Sequence, residues 1–361
     1  MSEVAAAGAL SLPVAGLPAE DAAALTELYI RGTAPNTLRA YERDLAYIAA
    51  WKQEAFGAAL AWPESEAVAL RFVLEHTGDA GPAAQAVAGA LVARGLRRDT
   101  APPSPATLDR RIATWRAFHR MRNLPSPFEA PLIAQARARG RRAQARRPQR
   151  RSANPITRPV LEAMLAACGP GLRGLRDRAV LMLGWASGGR RRSEISGLMR
   201  EDVDISEFDA KGLVWLSLLE TKTTGRGATP RLVLKGRAAR AVVAWIDAAG
   251  VTGGPLFRPI SKSGRVLERR LSPDGVRAIL RLRLARAGFP PGFASAHGLR
   301  SGFLTQAALD GAPIQAAMRL SLHRSMAQAQ RYYDDVDIAV NPATDLLDRP
   351  AKPAAAKRGD G

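Results

Sequence analysis

The residue types best suited to chemistry in this 361-residue chain crowd toward its C-terminal end: His297, Arg300, His323 and the pair Tyr332-Tyr333, with Arg191 upstream. The chain has four histidines and five tyrosines, and two of each fall between His297 and Tyr333. Two arginines, two histidines and a tyrosine are the side chains needed to attack a phosphodiester without a metal. A tyrosine oxygen is the nucleophile, guanidinium groups hold the phosphate charge, and imidazoles move protons or hydrogen-bond the phosphate. His297 and Arg300, three residues apart, face one cleft if their turn is helical. The sequence has no paired carboxylates and no His/Cys cluster at ligand spacing, so this reading implies no metal and no other cofactor.

Three segments carry a resemblance. The run Gly188-Gly189-Arg190-Arg191-Arg192-Ser193-Glu194-Ile195 resembles the first arginine box of the tyrosine recombinases, the phage integrase family. His297-Gly298-Leu299-Arg300 looks like that family's His-x-x-Arg, and Leu322 to Tyr332 looks like its terminal box, with a tyrosine nine residues after a histidine. All three stand in order over about half the chain, from Ile156 to Val336. The resemblance implies that Arg191 and Arg300 clamp the scissile phosphate, that His297 is an acid/base, and that His323 hydrogen-bonds a non-bridging oxygen. It makes Tyr332 the nucleophile, with Tyr333 the competitor. Lys222, in Glu220-Thr221-Lys222-Thr223-Thr224-Gly225, fits the hairpin lysine that protonates the departing 5′-oxygen; Lys235 and Lys211 are its rivals. Glu194 shares a helix face with Arg191 and orients its guanidinium, while Arg190 and Arg192 point elsewhere, toward backbone phosphates. Two departures stand out: Arg190 where an apolar residue is usual, and Leu322 where glycine is usual.

The implied fold is mainly α with a small β-sheet: an N-terminal helical core-binding domain and an α+β catalytic domain, closing as a C-clamp on DNA. The elements read from the chain fit that plan. Residues 1–20 are Ala/Gly/Pro-rich and expected to be poorly ordered. A helical domain over 21–135 begins with a helix from Asn36 or Thr37 to about Ala55, its stripe Leu38, Tyr41, Leu45 and Ile48, with Arg39 and Arg43 on another face. Further helices follow Pro63, carrying Val68, Phe72 and Val73, and fill Ala83 to Arg94. The best marked has Ser104 as cap, Pro105 in its first turn and Leu108, Ile112 and Trp115 as its stripe, with Arg116 and Arg120 sharing a face. A basic linker spans 136–155. The catalytic domain, 156–340, should hold a helix through Leu161, Met164 and Leu165, an apolar helix from Arg178 to Trp185, and strands at Leu213–Leu219 and Thr229–Leu234 around a glycine-containing turn. A helix from Arg237 to Ala249 comes next. Another, from Ser272 to Ala287, puts Arg277 and Arg281 on one face, fit for phosphates. Residues 341–361 are expected to form a flexible tail.

A net charge of +20 calls for a polyanionic partner. Its placement argues the same way: Arg137 to Arg151 holds eight arginines and no acid, a block that repels itself and stays extended until it meets a polyanion. Arg141, Arg142, Arg146 and Arg147 are accordingly expected along the duplex. A single cysteine, Cys168, excludes a disulfide framework and a cysteine zinc site. There is no run of 18 apolar residues and no secretory pattern, so the expectation is a cytoplasmic, bacterial, nucleoid-associated protein without a membrane partner. Together these imply site-specific strand exchange on double-stranded DNA, by a homo-tetramer on synapsed sites that is a monomer when free, with room for DNA-bending or directionality factors. Two alternatives stay open: a type IB topoisomerase-like relaxation of one duplex, and a non-catalytic DNA-binding protein on a recombinase scaffold.

Overall fold

In the computed structural model, residues 17–78, 81–144, 152–218, 230–323 and 325–340 are described. The chain divides into two compact units, residues 1–147 and 148–361. Both are mostly helical. No helix among the described residues is long and apolar enough to cross a membrane.

The first unit contains α1 (Ala19–Gly32), α2 (Pro35–Phe56), α3 (Glu66–Thr77), α4 (Pro82–Ala93), α5 (Pro105–Met121) and α6 (Pro131–Ala143). Helix α1 was not expected from the sequence, and none of its residues is fully buried. Its start at Ala19 places the end of the 1–20 segment in a helix; residues 1–16 lie outside the described residues. Helix α2 starts earlier than Asn36: Pro35 takes the first turn, and the Asn36 side chain accepts from Arg39 instead of capping. Its buried face is Asp44, Tyr47, Ile48 and Trp51, one step off the stripe expected from Leu38 and Tyr41. Asp44 is tolerated inside because Arg110 and Thr114 donate to it. Trp51, Phe72 and Trp115 meet edge to face at 4.8–6.5 Å and fill the core. Ser65 and Ser104 cap α3 and α5 by accepting from Val68 N–H and Thr107 N–H.

The basic run departs from expectation. Its first part, through Ala143, is helix α6 rather than an extended strap. Arg137 and Arg141 both pair with Asp109, at 3.0 and 2.8 Å, and Ile133 is buried beneath them. A carboxylate from α5 offsets part of the self-repulsion on which the extended reading rests, and the burial of Ile133 holds the helix down. Residues 145–151, with Arg146 and Arg147, lie outside the described residues.

The second unit contains α7 (Arg158–Ala166), α8 (Leu172–Ala186), α9 (Arg192–Gly197), β1 (Val203–Asp204), α10 (Phe208–Lys211), β2 (Leu213–Ser217), β3 (Arg231–Lys235), α11 (Gly236–Ala249), α12 (Pro273–Arg286), α13 (Gly298–Leu309), α14 (Ile314–Ser321) and α15 (Met326–Val340). The three strands form an antiparallel sheet in sequence order, with Val203 opposite Leu216 and Trp215 opposite Val233. Val214 and Leu216 point inward and Trp215 sits between them on the other face, so β2 alternates cleanly. The turn expected between β2 and β3, and Lys222 with it, lies outside the described residues. Helix α8 runs through the core against α11 and also touches α12 and α13. Asp177 and Arg283, both buried, bind through two N–H donors at 2.9 and 2.6 Å and pin α8 to α12.

Candidate active site

Four pieces of the second unit meet at one place: the turn after α8, the first turn of α13, the end of α14, and α15. The turn is made by glycine. After Ala186 the chain passes through Gly188 and Gly189, at φ +96° and +75°, and the N–H groups of both reach back to the Trp185 carbonyl at 3.1 Å. A Cβ on Gly189 would lie 2.2 Å from Arg300 Cα, and one on Gly188 would lie 2.3 Å from the Leu320 carbonyl carbon. The arginine box therefore touches α13 and the end of α14 backbone to backbone, which only glycine permits.

Arg191 follows as the residue capping α9, with its guanidinium half-exposed at the site. Glu194 receives both the Arg191 backbone N–H, at 3.0 Å, and its Nη1. The Glu194 carboxylate thus holds the Arg191 guanidinium and satisfies the helix start. Arg190, expected to face backbone phosphates, is instead 1% exposed and donates to the Leu320 carbonyl; the tight glycine turn drives it inward. Arg192 pairs with Asp274 at 2.9 Å.

His297 stands at the N-cap of α13, and its carbonyl accepts the Arg300 N–H at 3.0 Å. The turn is helical, so His297 and Arg300 face the same cleft. The loop before it is stitched to the start of the unit: Asn154 donates to the Phe293 carbonyl, Ser152 accepts the Ser295 N–H, and Ile156 N–H reaches the Gly298 carbonyl. Gly302 clears the way, since a Cβ there would meet the Ile156 carbonyl oxygen at 1.9 Å.

Arg300 is buried and donates from Nη1 to the Gly189 carbonyl and from Nε to His323 Nε2, at 3.3 and 3.2 Å. Burial, then the nearby Arg190 and Arg191 charges, lowers its pKa to about 10, so it stays a cation at neutral pH. Arg300 Nη2 also stands 3.1 Å from His323 Nδ1, which lies 2.8 Å from Ser321 Oγ. Burial and the surrounding guanidinium groups hold His323 at about 4, so its imidazole is neutral at pH 7. A neutral ring suits hydrogen bonding to a phosphate oxygen better than proton donation from an imidazolium. Leu322, the residue before it, ends α14 at φ +54°, the left-handed conformation for which glycine is the usual choice.

Helix α15 separates the two tyrosines. Tyr332 Oη lies 3.2 Å from His297 Nε2, and its ring stands 6.5 Å from that of His323. Tyr333 turns away, packs with Leu304 and Ala317, and donates to the Ala312 carbonyl at 3.0 Å. The cluster thus unites a phenol oxygen, an imidazole able to take its proton, and cationic donors for an anion.

The remaining expected residues are dispersed. Arg39, Arg43, Arg120 and Arg142 are exposed on the first unit. Arg116 is half-buried near Glu129, at 3.4 Å, and Arg141 is held by Asp109. On the second unit Arg277 pairs with Asp274 at 3.3 Å, and Arg281 lines a cleft of about 370 Å³ with Phe289 and Phe293. Of the rival lysines, Lys211 pairs with Glu207 at 3.3 Å, and Lys235 is exposed at the end of β3. Sequence reasoning missed the structural parts played by Gly188, Gly189, Ser321, Ser152 and Asn154. The consecutive glycines before the arginines were the available signal.

The chain is similar in sequence and fold to known proteins. The model of the phage integrase family matches residues 155–337. The chain is 31% identical over 172 residues to an integrase/recombinase XerD homolog of Selenomonas ruminantium, covering 46% of this chain and 49% of that relative. It is 28% identical over 311 residues to tyrosine recombinase XerC of Pelobacter propionicus, covering 84% and 85%. To tyrosine recombinase XerD of Mycobacterium tuberculosis it is 30% identical over 321 residues, covering 84% and 88%. The first of these alignments spans about half the relative's length, the other two most of it. The fold is similar to that of the Tn1549 transposon integrase solved in complex with transposon right end DNA: TM-score 0.55, 15% identity, 89% of this chain and 97% of that one. It is also similar to a lambda integrase dimer bound to a COC′ core site: TM-score 0.52, 14% identity, 92% and 97%.

Proposed function

From the premise that the chain belongs to the phage integrase family of tyrosine recombinases, we propose that it is a site-specific DNA recombinase whose nucleophile is Tyr332. Tyr332 Oη attacks the scissile phosphorus while its proton passes to His297. The bond from phosphorus to the 5′-oxygen breaks, leaving a 3′-phosphotyrosyl link, and Lys222 protonates the departing oxygen. The free 5′-hydroxyl of the partner strand then attacks the phosphotyrosine, restoring Tyr332 and joining the exchanged strands. One phosphoester bond forms for each that breaks, so no ATP is consumed. Arg191 and Arg300 hold the charge that grows on the non-bridging oxygens, and neutral His323 adds a hydrogen bond.

The observation that carries this reading is the 3.2 Å approach of Tyr332 Oη to His297 Nε2 beside the buried Arg300. The DNA-bound structural neighbours support a duplex substrate. The exposed Arg39, Arg43, Arg120, Arg142, Arg277 and Arg281 are its expected backbone contacts. Two duplexes, each holding two protomers, make the working complex a tetramer.

A nicked duplex tests the reading, because loss of the short strand traps the covalent adduct. Tyr332→Phe should bind DNA and form no adduct; Tyr333→Phe should keep one. Peptide mapping of the adduct to Tyr333 would reverse the assignment, and no adduct at all would leave a DNA-binding scaffold. Strand exchange between two sites, set against relaxation of one supercoiled circle, separates recombinase from topoisomerase.

A further inference from the structure

We propose that Arg190 is a positioning residue that ties the arginine box to the end of α14 and thereby sets where His323 stands; this rests on reading the cluster as the recombinase site. At 1% exposure Arg190 does not reach DNA. Its Nη2 donates to the Leu320 carbonyl at 2.6 Å, and its Nη1 stands 3.7 Å from Glu194 Oε2. Leu320 belongs to the last turn of α14, where carbonyls lack helical partners and partial negative charge gathers, so a cation is the fitting donor. The same residue's carbonyl group is pressed from another side by Gly188. Immediately beyond come Leu322, in a left-handed conformation that a β-carbon resists, and His323. The end of this helix is thus held from outside, and Arg190 is the polar part of the hold.

Packing alone does not account for an arginine here. An apolar side chain of similar size, which the resemblance makes usual at this position, would fill the space without desolvating a charge. Arg190 instead bears that cost: burial lowers its pKa to about 10, and its Nε has no hydrogen-bond partner. What the charge supplies is the Leu320 bond, a share of Glu194 with Arg191, and a field at His323. The groups facing His323 are Arg300 and His297 from α13, Arg190 and Arg191 from the arginine box, Ser321 from α14 and Tyr332 from α15. Each of the three arginines opposes protonation of the ring.

The test uses the full chain with Arg190→Met, Arg190→Gln and Arg190→Lys, beside the wild type. Three quantities are read: the rate of Tyr332 adduct formation on the nicked duplex, the His323 titration by NMR without DNA, and Tm. Arg190→Met should slow adduct formation by roughly tenfold to a hundredfold, the cost of an ångström-scale misplacement, bind DNA normally, and move the His323 titration upward. Arg190→Lys should return the titration and most of the rate. A folded Arg190→Met with wild-type rate and an unmoved titration overturns the proposal. So does a folded Arg190→Lys no better than Arg190→Met, which would leave Arg190 as a filler of space. Should Arg190→Met fail to fold, Arg190→Gln, which keeps a donor and drops the charge, is judged by the same criteria. If the wild type forms no adduct, the recombinase reading fails while the His323 titration still decides whether the tie exists.

Discussion

Replacing Gly189 by alanine adds one methyl group to a residue that carries no chemistry, yet it should disable cleavage. The new Cβ would lie 2.2 Å from Arg300 Cα, 2.9 Å from its N and 3.0 Å from its Cβ. Carbon atoms in contact sit about 3.5–4.0 Å apart, so the turn and α13 must separate by about 1.3 Å or more. All three obstructing atoms are backbone or first side-chain atoms, which no rotamer change moves aside. A φ of +75° adds a conformational cost of about 1–2 kcal/mol for alanine, and forced overpacking typically adds about 1–3. The expected destabilisation is therefore about 2–5 kcal/mol, divided between lost stability and a shifted Arg300. The shift matters more for function. Arg300 Nη1 loses the Gly189 carbonyl, and a displacement of about an ångström from productive geometry costs roughly a hundredfold in rate. Thermal melts and single-turnover adduct formation on the nicked duplex measure the two shares, both read below the variant's Tm. Gly189→Ala with wild-type Tm and wild-type cleavage would refute the claim that this turn abuts α13 and, with it, the account of how Arg300 is placed.

Other outcomes follow from the same geometry. Arg191→Ala or Arg300→Ala should each slow cleavage by about a hundredfold or more, since loss of one charge-assisted contact to a transition state costs roughly 3 kcal/mol; near-normal cleavage by Arg191→Ala would move the clamp to another arginine. At Leu322, glycine should be more stable than alanine by about 1 kcal/mol in denaturant melts, because alanine loses the leucine's packing and keeps the left-handed cost; the reverse order would show that φ is relaxed in solution. His76 is buried, its Nδ1 donating to the Phe72 carbonyl and its Nε2 facing Tyr47 Oη, and burial lowers its pKa from 6.5 to about 3. The unfolded chain therefore binds the extra proton first. The neutral ring's contribution is full above pH 6.5 and falls away between pH 6.5 and about 3, so Tm should drop through that window and His76→Gln should flatten the drop. Changing Arg141, Arg142, Arg146 and Arg147 to Gln should flatten the salt dependence of DNA binding by up to about 3–4 units of slope, at about 0.9 per phosphate contact. Pairing of Arg141 with Asp109 favours the lower figure, and an unchanged slope would make the segment a plain tether.

What could be read from the chain beforehand depended on how far each determinant reaches. Ser104-Pro105 and Ser272-Pro273 announced their helices because a cap and a first-turn proline act within four residues. The cluster itself was legible only because its residues recur at fixed spacings, His297 with Arg300 and His323 with Tyr332. Physical chemistry alone would not have brought Tyr332 to His297 across 35 positions. Where a distant partner decides a residue's state, the local reading went astray. Read alone the arginine run repels itself, but Asp109, 28 and 32 positions earlier, accepts from both Arg137 and Arg141 and offsets part of that repulsion in α6. Arg190 reads as a phosphate contact because three adjacent arginines look alike in a sequence. Its acceptor is a backbone carbonyl 130 positions away, and a carbonyl leaves no trace in residue identity. The two glycines before it were the one local mark of that burial. A chain that places Gly188 and Gly189 at positive φ beside two other backbones has no room to turn the next side chain outward. Arginine at this position must then find an acceptor inside, and the open end of α14 is where one exists.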